Sequence, residues 1–85
     1  MFDVEYSKKA LKFLKSCDKT LADRIIDKVK SLKKEPIGHD SKSVEGYKIK
    51  LYRIRAGDYR ILYEVDYSQN VVGIVKIDKR SKAYE

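Results

Sequence analysis

Three segments in the second half of the chain alternate polar and apolar residues, and only short connections separate them. The segments run from Tyr47 to Arg55, from Tyr59 to Asp66 and from Val71 to Asp78. Alternation with a period of two is typical of β-strands, and connections over 56–58 and 67–70 have the length of hairpin loops. The pattern therefore predicts an antiparallel three-stranded meander, one face of which must be covered by other elements.

The first half of the chain predicts the elements that cover this meander. Phe2, Val4 and Tyr6 alternate with acidic residues, which indicates an N-terminal strand. Apolar residues then recur at helical spacing over 8–16 and again from 19 to a stop at 36, with Ser7 and Asp18 as the expected N-caps. The expected fold class is α+β: an N-terminal strand within an antiparallel sheet, a two-helix antiparallel hairpin packed on one face of the sheet, and the C-terminal meander.

The alternation also assigns faces within the meander. The residues expected to face the helices are Tyr47, Ile49, Leu51, Tyr59, Ile61, Tyr63 and Val65, and those expected on the outer face are Lys48, Lys50, Tyr52, Arg60, Leu62 and Glu64. This assignment requires an odd-length loop between the first two strands, with Gly57 in a left-handed conformation. The alternation slips over 53–55, where we expect a β-bulge or an unsupported end of the hairpin.

Length and composition limit the class of protein. Residues 1–85 suffice for one domain, and no apolar run is long enough for a membrane span or a secretory signal, so we expect a cytoplasmic protein without membrane contact. Cys17 is the single cysteine, and His39, the single histidine, is expected to be an exposed loop residue, so we expect neither a metal nor a cofactor. The net charge of +7 favours a polyanionic partner such as nucleic acid.

Several common catalytic arrangements have no counterpart in the sequence. A Ser/His/Asp set cannot be assembled around His39, and no glycine-rich phosphate loop precedes a helix. Asp and Glu are scattered, and we expect no pair in the arrangement that two-carboxylate or two-metal hydrolysis requires. Any chemistry must therefore depend on the basic and aromatic side chains.

Basic side chains concentrate on two predicted surfaces. Lys48 and Lys50 are two residues apart on a predicted strand, and Arg60 is expected to share their face. Clustered cations lower the pKa of a lysine towards the range of a base and neutralise charge on a phosphodiester, although a solvated strand face would show the same pattern. Lysines also recur along one helical face, either as a solvated surface or as a contact for phosphates, at Lys8, Lys12, Lys15 and Lys19.

Three segments resemble toxins of the RelE/ParE superfamily. They are Gly-Tyr-Lys-Ile-Lys-Leu at 46–51, Arg-Ala-Gly-Asp-Tyr-Arg-Ile-Leu-Tyr-Glu-Val at 55–65, and Lys-Arg-Ser-Lys-Ala-Tyr at 79–84. The resemblance extends over essentially the whole chain. The Tyr-Lys-Ile-Lys segment and the terminal Tyr84 are similar to the RelE-like, RNA-cleaving branch.

The resemblance implies a toxin of a type II toxin-antitoxin system, acting as a ribosome-dependent mRNA interferase. Such a protein is a metal-independent endoribonuclease that cuts mRNA in the decoding site and is held inactive by a RelB-like antitoxin. The lysine stripe on the helices would then be an accessory contact with ribosomal RNA.

The resemblance also implies roles for individual residues. Lys48 and Lys50 match the catalytic lysines, with Lys50 preferred as general base towards the ribose 2′-hydroxyl, and Arg60 matches the arginine that contacts the phosphate. Arg80 matches the arginine that stabilises or protonates the leaving 5′ oxygen, and Tyr84 the tyrosine that stacks on or orients a base. The spacing between Arg80 and Tyr84 is shorter than in the best-known members.

Two alternatives stay open at this point. A ParE-like inhibitor of DNA gyrase would carry similar strands and would act by binding a protein. A catalytically decayed relative that only binds RNA is the second alternative, and the shortened tail is the feature that favours it.

Overall fold

The chain folds into two layers, a pair of helices and a five-stranded sheet. The computed structural model describes residues 1–38 and 40–79. Its elements are, in chain order, β1 (Asp3–Tyr6), α1 (Lys8–Ser16), α2 (Lys19–Ser31), β2 (Lys42–Val44), β3 (Leu51–Ala56), β4 (Tyr59–Asp66) and β5 (Val71–Lys79). The strand order across the sheet is β1-β5-β4-β3-β2. The predicted α+β fold, with two helices and a C-terminal meander, is confirmed.

Both helices begin where a side chain accepts a hydrogen bond from the first turn. Ser7 Oγ accepts from the backbone N–H of Ala10 at 3.0 Å, and Asp18 Oδ1 accepts from that of Leu21 at 2.8 Å. These are the two N-caps that the sequence predicts. The second helix ends at Ser31, ahead of Pro36. Within the described residues, no helix is long and apolar enough to span a membrane.

The hydrophobic core lies between the helices and one face of the sheet. It is formed by buried residues of both layers: Ala10, Ile25, Val29, Leu32, Ile54, Ala56, Ile61, Tyr63, Val72, Ile74 and Ile77. Tyr63 is the largest of the fully buried side chains. Both helices pack on this face. Within residues 1–38 and 40–79 no helix covers the opposite face of the sheet, which we call the open face.

The sheet is mixed, where the sequence predicted an antiparallel one. β1 pairs with β5 in parallel, while the other neighbouring strands are antiparallel. The helices carry the chain from β1 to β2 at the opposite edge of the sheet, and the antiparallel run through β3 and β4 then brings β5 back beside β1 in the parallel direction. β2 was not predicted, since a strand of three residues is too short to show alternation.

The β3–β4 hairpin differs from the prediction in its loop and therefore in the faces of β3. Ala56 pairs with Tyr59, so the turn has two residues, Gly57 and Asp58, and an odd-length loop is wrong. Gly57 does adopt a positive φ of 63°, as expected. The face assignment of β4 is confirmed, but that of β3 is reversed. The core side holds Tyr52, Ile54 and Ala56, and the open face holds Leu51, Arg53 and Arg55.

The predicted bulge is also misplaced. β3 pairs with β4 without interruption over 52–56, and the irregularity lies in β5 instead. Leu62 pairs with Lys76 and Tyr63 with Ile74, which leaves Val75 as the extra residue. Ser7 fits this bulge: its hydroxyl donates to the Val75 carbonyl at 2.7 Å and its backbone N–H to the Ile74 carbonyl at 2.9 Å.

The start of the predicted second strand is a loop. Residues 45–50 belong to no strand and are all exposed, because β3 begins only at Leu51. Tyr47 and Ile49, which were expected to face the helices, are each 52% exposed. The phase of their alternation does not continue into β3, and this is why the face of Tyr52 was predicted wrongly.

Candidate functional site

The open face gathers basic side chains at the end of the sheet near the β3–β4 turn. Strand register places Lys42 beside Arg53, Arg55 beside Arg60, and Lys76 beside Leu62, all on this face. We call Lys42, Arg53, Arg55, Arg60 and Lys76 the basic cluster. Side chains that are neighbours across antiparallel strands are within reach of one another, so a single anionic ligand could meet several of these cations.

Arg60 is held by a carboxylate in the middle of this cluster. Its Nε donates to Asp78 Oδ1 at 3.1 Å and its Nη2 to Asp78 Oδ2 at 3.3 Å, which is a two-point fork. Lys76 Nζ lies 3.5 Å from the same Oδ2 atom. The side chains of Arg60 and Asp78 are 28% and 26% exposed, so the pair is accessible from the open face and yet partly shielded from water.

Two leucines form an apolar floor on the open face. Leu51 is 1% exposed and Leu62 is 2% exposed, although neither belongs to the core between the helices and the sheet. Leu62 is flanked in register by Arg53 and Lys76. Long basic side chains cover apolar neighbours with their methylene groups while their charged ends stay in water, so the floor fixes where these cations are presented.

The far end of the open face has the opposite charge. Glu5 and Glu64 both pair with Gly73, and Asp3 and Asp66 both pair with Val71. These carboxylates lie towards β1 and the β4–β5 turn, away from the basic cluster. A polyanion on the open face is therefore attracted to one end and repelled from the other, which fixes the region it can occupy.

The basic cluster extends around the edge of the sheet at β2. A surface cavity of about 530 Å³ opens there and is lined by Lys28, Asp40, Lys42, Arg53, Ile54 and Arg55. Lys28 Nζ lies 3.4 Å from Asp40 Oδ2, and the other charged lining residues are cations. The cavity therefore continues the positive surface from the open face towards α2.

The structure separates the residues that the sequence predicted as one site. Arg60 is part of the basic cluster, whereas Lys48 and Lys50 are in the exposed 45–50 loop, beyond the end of β3 that is remote from Arg55. The expectation that Lys48 and Lys50 share a strand face with Arg60 is therefore wrong, because β3 begins after them. Arg80, Tyr84 and His39 lie outside the described residues.

The predicted helical stripe is divided between the two helices. Lys8, Lys12 and Lys15 are exposed on α1, and Lys19 begins α2, where its Nζ lies 3.0 Å from Asp23 Oδ2. The four lysines therefore do not form one continuous helical face, because Cys17 and Asp18 separate the helices.

Five residues of the site were missed by the reasoning from sequence, and the first of them is Lys42 on β2. The other four are Arg53 and Arg55 on β3 and Lys76 and Asp78 on β5. A signal for the two arginines was present: an apolar residue between two arginines, with the apolar residue taken as the core position, places both arginines on the outer face. This signal was missed because the alternation was counted from Tyr47 and Ile49, which placed Ile54 on the outer face.

Three side chains outside the basic cluster have pKa values that their surroundings shift. Burial raises the pKa of Tyr63, and burial likewise raises that of Tyr6. Hydrogen bonds from Ser68 and Gln69 lower the pKa of Asp66. Within residues 1–38 and 40–79, no three His, Cys, Asp or Glu side chains are arranged so that they could hold a metal ion.

Solved structures of known proteins share this fold. The complex of archaeal RelE and RelB from Pyrococcus horikoshii OT3 contains a chain that matches with a TM-score of 0.81 and 32% identity, covering 95% of this chain and 97% of that one. The isolated Escherichia coli RelE toxin matches with a TM-score of 0.79 and 23% identity, covering 99% and 92% of the two chains. The helix hairpin, the mixed sheet and the open face thus define a protein of the RelE-like toxin fold.

Sequence comparison identifies the family. The family of ParE toxins of type II toxin-antitoxin systems matches residues 4–84. A protein of Methanocaldococcus jannaschii named as the toxin RelE1 is 30% identical over 86 residues, covering 99% of this chain and 96% of that protein. The chain belongs to the ParE toxin family of type II toxin-antitoxin systems, and within the RelE/ParE superfamily it falls in the RelE-like branch.

Proposed function

We propose that this toxin is a metal-independent endoribonuclease that cleaves mRNA on the ribosome and so inhibits translation. The observation that carries the proposal is the basic cluster, in which Arg55, Arg60 and Lys76 surround one position on the open face above an apolar floor. A phosphodiester bound there has its developing negative charge neutralised in the transition state. The RelE names of its relatives support the same activity.

RNA carries its own nucleophile, and this reduces what the protein must supply. The site has to hold the 2′-hydroxyl in line with the phosphate, accept its proton and stabilise the charge on the phosphorane-like intermediate. The products are then a 2′,3′-cyclic phosphate, or a 3′-phosphate after the ring opens, and a 5′-hydroxyl. DNA is not cleaved by this route, because it lacks the 2′-hydroxyl.

The remaining predicted residues act around this centre. Lys48 and Lys50 contact the RNA from the exposed 45–50 loop, where no ion pair engages them within the described residues. Arg80 stabilises the leaving oxygen and Tyr84 stacks on a base, as the resemblance implies; stacking of this kind is worth about 1 to 3 kcal/mol. Lys8, Lys12, Lys15 and Lys19 contact ribosomal RNA, and this contact orients the toxin in the decoding site.

A cognate RelB-like antitoxin holds the toxin inactive. The structures of the relatives from Pyrococcus horikoshii and Mycobacterium tuberculosis are a RelE-RelB complex and a toxin-antitoxin complex, respectively. An antitoxin segment with acidic residues would complement the basic cluster and exclude RNA from it. The toxin acts in the cytoplasm, where its substrate is.

The proposal is tested with purified ribosomes carrying an mRNA labelled at its 5′ end. Wild-type toxin is expected to cut within the codon in the decoding site, leaving a cyclic phosphate, and free mRNA is expected to be cut far more slowly because nothing orients it. Arg60→Ala is expected to abolish cutting, whereas Lys30→Ala, on the exposed surface of α2, is the control. Intact mRNA with wild-type toxin would reject the nuclease.

Inhibition of DNA gyrase is the second candidate, and the match to the ParE toxin family is the observation that favours it. A gyrase inhibitor would lower supercoiling by the purified enzyme and would leave ribosome-bound mRNA intact. The two assays on one preparation therefore separate the candidates.

A further inference from the structure

We propose that Asp78 is the general base of the RNA cleavage, an inference that rests on the proposed function and names the group that removes the 2′ proton. The resemblance to RelE toxins assigns this step to Lys50, but Lys50 lies in a loop beyond the remote end of β3. Asp78 lies on the open face within the basic cluster, where the phosphate is attracted.

The groups at the basic cluster that can accept a proton are Asp78 and the two lysines, Lys42 and Lys76, because the arginines cannot. Arginine stays protonated at every working pH, so neither Arg53, Arg55 nor Arg60 can accept a proton. The other carboxylates that register places on the open face are at its acidic end, away from these cations: Asp3, Glu5, Glu64 and Asp66. Asp78 is thus the carboxylate placed where the phosphate charge is neutralised.

The hydrogen bonds of Asp78 orient it and leave it able to accept another. Oδ1 accepts from Arg60 Nε at 3.1 Å, while Oδ2 accepts from Arg60 Nη2 at 3.3 Å and lies 3.5 Å from Lys76 Nζ. Each carboxylate oxygen has two lone pairs, so Oδ1 can receive a ribose hydroxyl without losing Arg60. The guanidinium of Arg60 thereby orients Asp78 and also lies where the phosphate of the RNA is bound.

The reaction step balances without any further reagent. The O2′–H proton moves to Asp78 Oδ1 as O2′ forms a bond to phosphorus, and the bond between phosphorus and O5′ breaks. The departing 5′ oxygen takes a proton from a solvent water. The protonated carboxyl group then returns its proton to the solvent, and the protein ends as it began.

The experiment measures single-turnover cleavage of ribosome-bound mRNA between about pH 6 and about pH 9, together with ribosome association. Carboxylic acids titrate near pH 4 and lysine near about pH 10.4 in model peptides, so a carboxylate base gives a rate that stays nearly level over this range. A lysine base gives a rate that rises about tenfold per pH unit at every pH below its own pKa, also where neighbouring cations lower that pKa. We expect the level profile.

Substitutions test whether Asp78 acts as the general base or serves only as the counter-ion of Arg60. Asp78→Asn is expected to lower the cleavage rate by a factor of about 100 or more while association changes little, and Asp78→Glu is expected to recover part of the rate. Glu64→Gln is the control, because it removes a carboxylate from the acidic end of the same face. The urea midpoint of each variant shows whether it is folded.

Three results would overturn the inference about Asp78 and leave the proposed nuclease function unaffected. They are wild-type cleavage by Asp78→Asn, a loss in that variant confined to ribosome association, and a tenfold rise in the wild-type rate per pH unit. The pH profile of the wild type is decisive even if Asp78→Asn does not fold. If the wild type leaves ribosome-bound mRNA intact, the proposed function itself fails, and the inference fails with it.

Discussion

The hydroxyl of the buried Tyr63 donates a hydrogen bond to the carbonyl of Pro36 at 2.6 Å. The same oxygen lies 2.6 Å from Ser41 Oγ, so one side chain of the central strand β4 holds the segment that leads from α2 to β2 at two points. The buried hydroxyl is thus fully engaged, and β2 is held at the edge where the basic cluster begins.

We expect Tyr63→Phe to lower the free energy of unfolding by about 1 to 3 kcal/mol, because the Pro36 carbonyl and the Ser41 hydroxyl lose a buried partner. Urea denaturation measures the change. Tyr67→Phe is the matched control: Tyr67 is 62% exposed, and its ring contact with Phe2 survives the substitution, so its effect should be below about 0.5 kcal/mol. Equal urea midpoints for the two variants would contradict this role of Tyr63.

Ser7 joins the start of α1 to the bulge of β5, and we expect its removal to cost more than the loss of a helix cap. Ser7→Ala loses the cap to Ala10 and the hydrogen bond to the Val75 carbonyl, together roughly 2 kcal/mol. Asp18→Ala, which loses only the cap of α2, should cost about 1 kcal/mol. Thermal unfolding compares the two variants, and a larger loss for Asp18→Ala would reject the joint role of Ser7.

Asp66 makes stability depend on acid pH. Its pKa is lowered, first by the hydroxyl of Ser68 and next by the backbone N–H of Gln69, so the folded state prefers the ionised carboxylate. A lowered pKa stabilises the fold above the unfolded value near 3.9, and this contribution is lost as the pH falls through the folded value.

We therefore expect the urea midpoint of Asp66→Asn to change less between pH 6 and about pH 3 than that of the wild type. Ser68→Ala keeps the carboxylate and removes its first donor, so it should fall between the two. If all three proteins lose stability in parallel over this range, the ionised carboxylate of Asp66 does not stabilise the fold.

The arginines of β3 should contribute to RNA binding through phosphate contacts. For the double variant Arg53→Gln, Arg55→Gln, we expect weaker binding of a short single-stranded RNA and a salt dependence whose slope is smaller by about 1.4 for two contacts. The matched control is Lys30→Gln with Lys34→Gln, which removes two exposed cations from the end of α2 and the turn after it. The cluster is not the RNA site if both double variants behave alike.

The lysines of α1 should matter only where ribosomal RNA is present. Lys12→Glu with Lys15→Glu is expected to weaken ribosome association and to reduce its dependence on salt, because two phosphate contacts are replaced by repulsion. Sedimentation with ribosomes at several salt concentrations measures this, with Lys30→Glu and Lys34→Glu as the control. Unchanged association at every salt concentration would show that α1 faces solvent.

The sequence by itself determined the elements whose signals are local. Ser7 and Asp18 mark the helix starts because capping involves only neighbouring residues. The alternation over β4 gave the correct core side for Ile61 and Tyr63, and residues 59–63 of that strand are paired on both sides. Family resemblance added Arg60, which register places in the basic cluster.

Only the tertiary structure decided which residues share the open face. The face of Arg53 depends on where β3 begins and on the two-residue turn, and a shift of one residue reverses every side chain of a strand. The bulge at Val75 likewise sets the phase of β5 beyond it, and with it the approach of Asp78 to Arg60. These depend on contacts between strands far apart in the sequence, so local patterns cannot fix them.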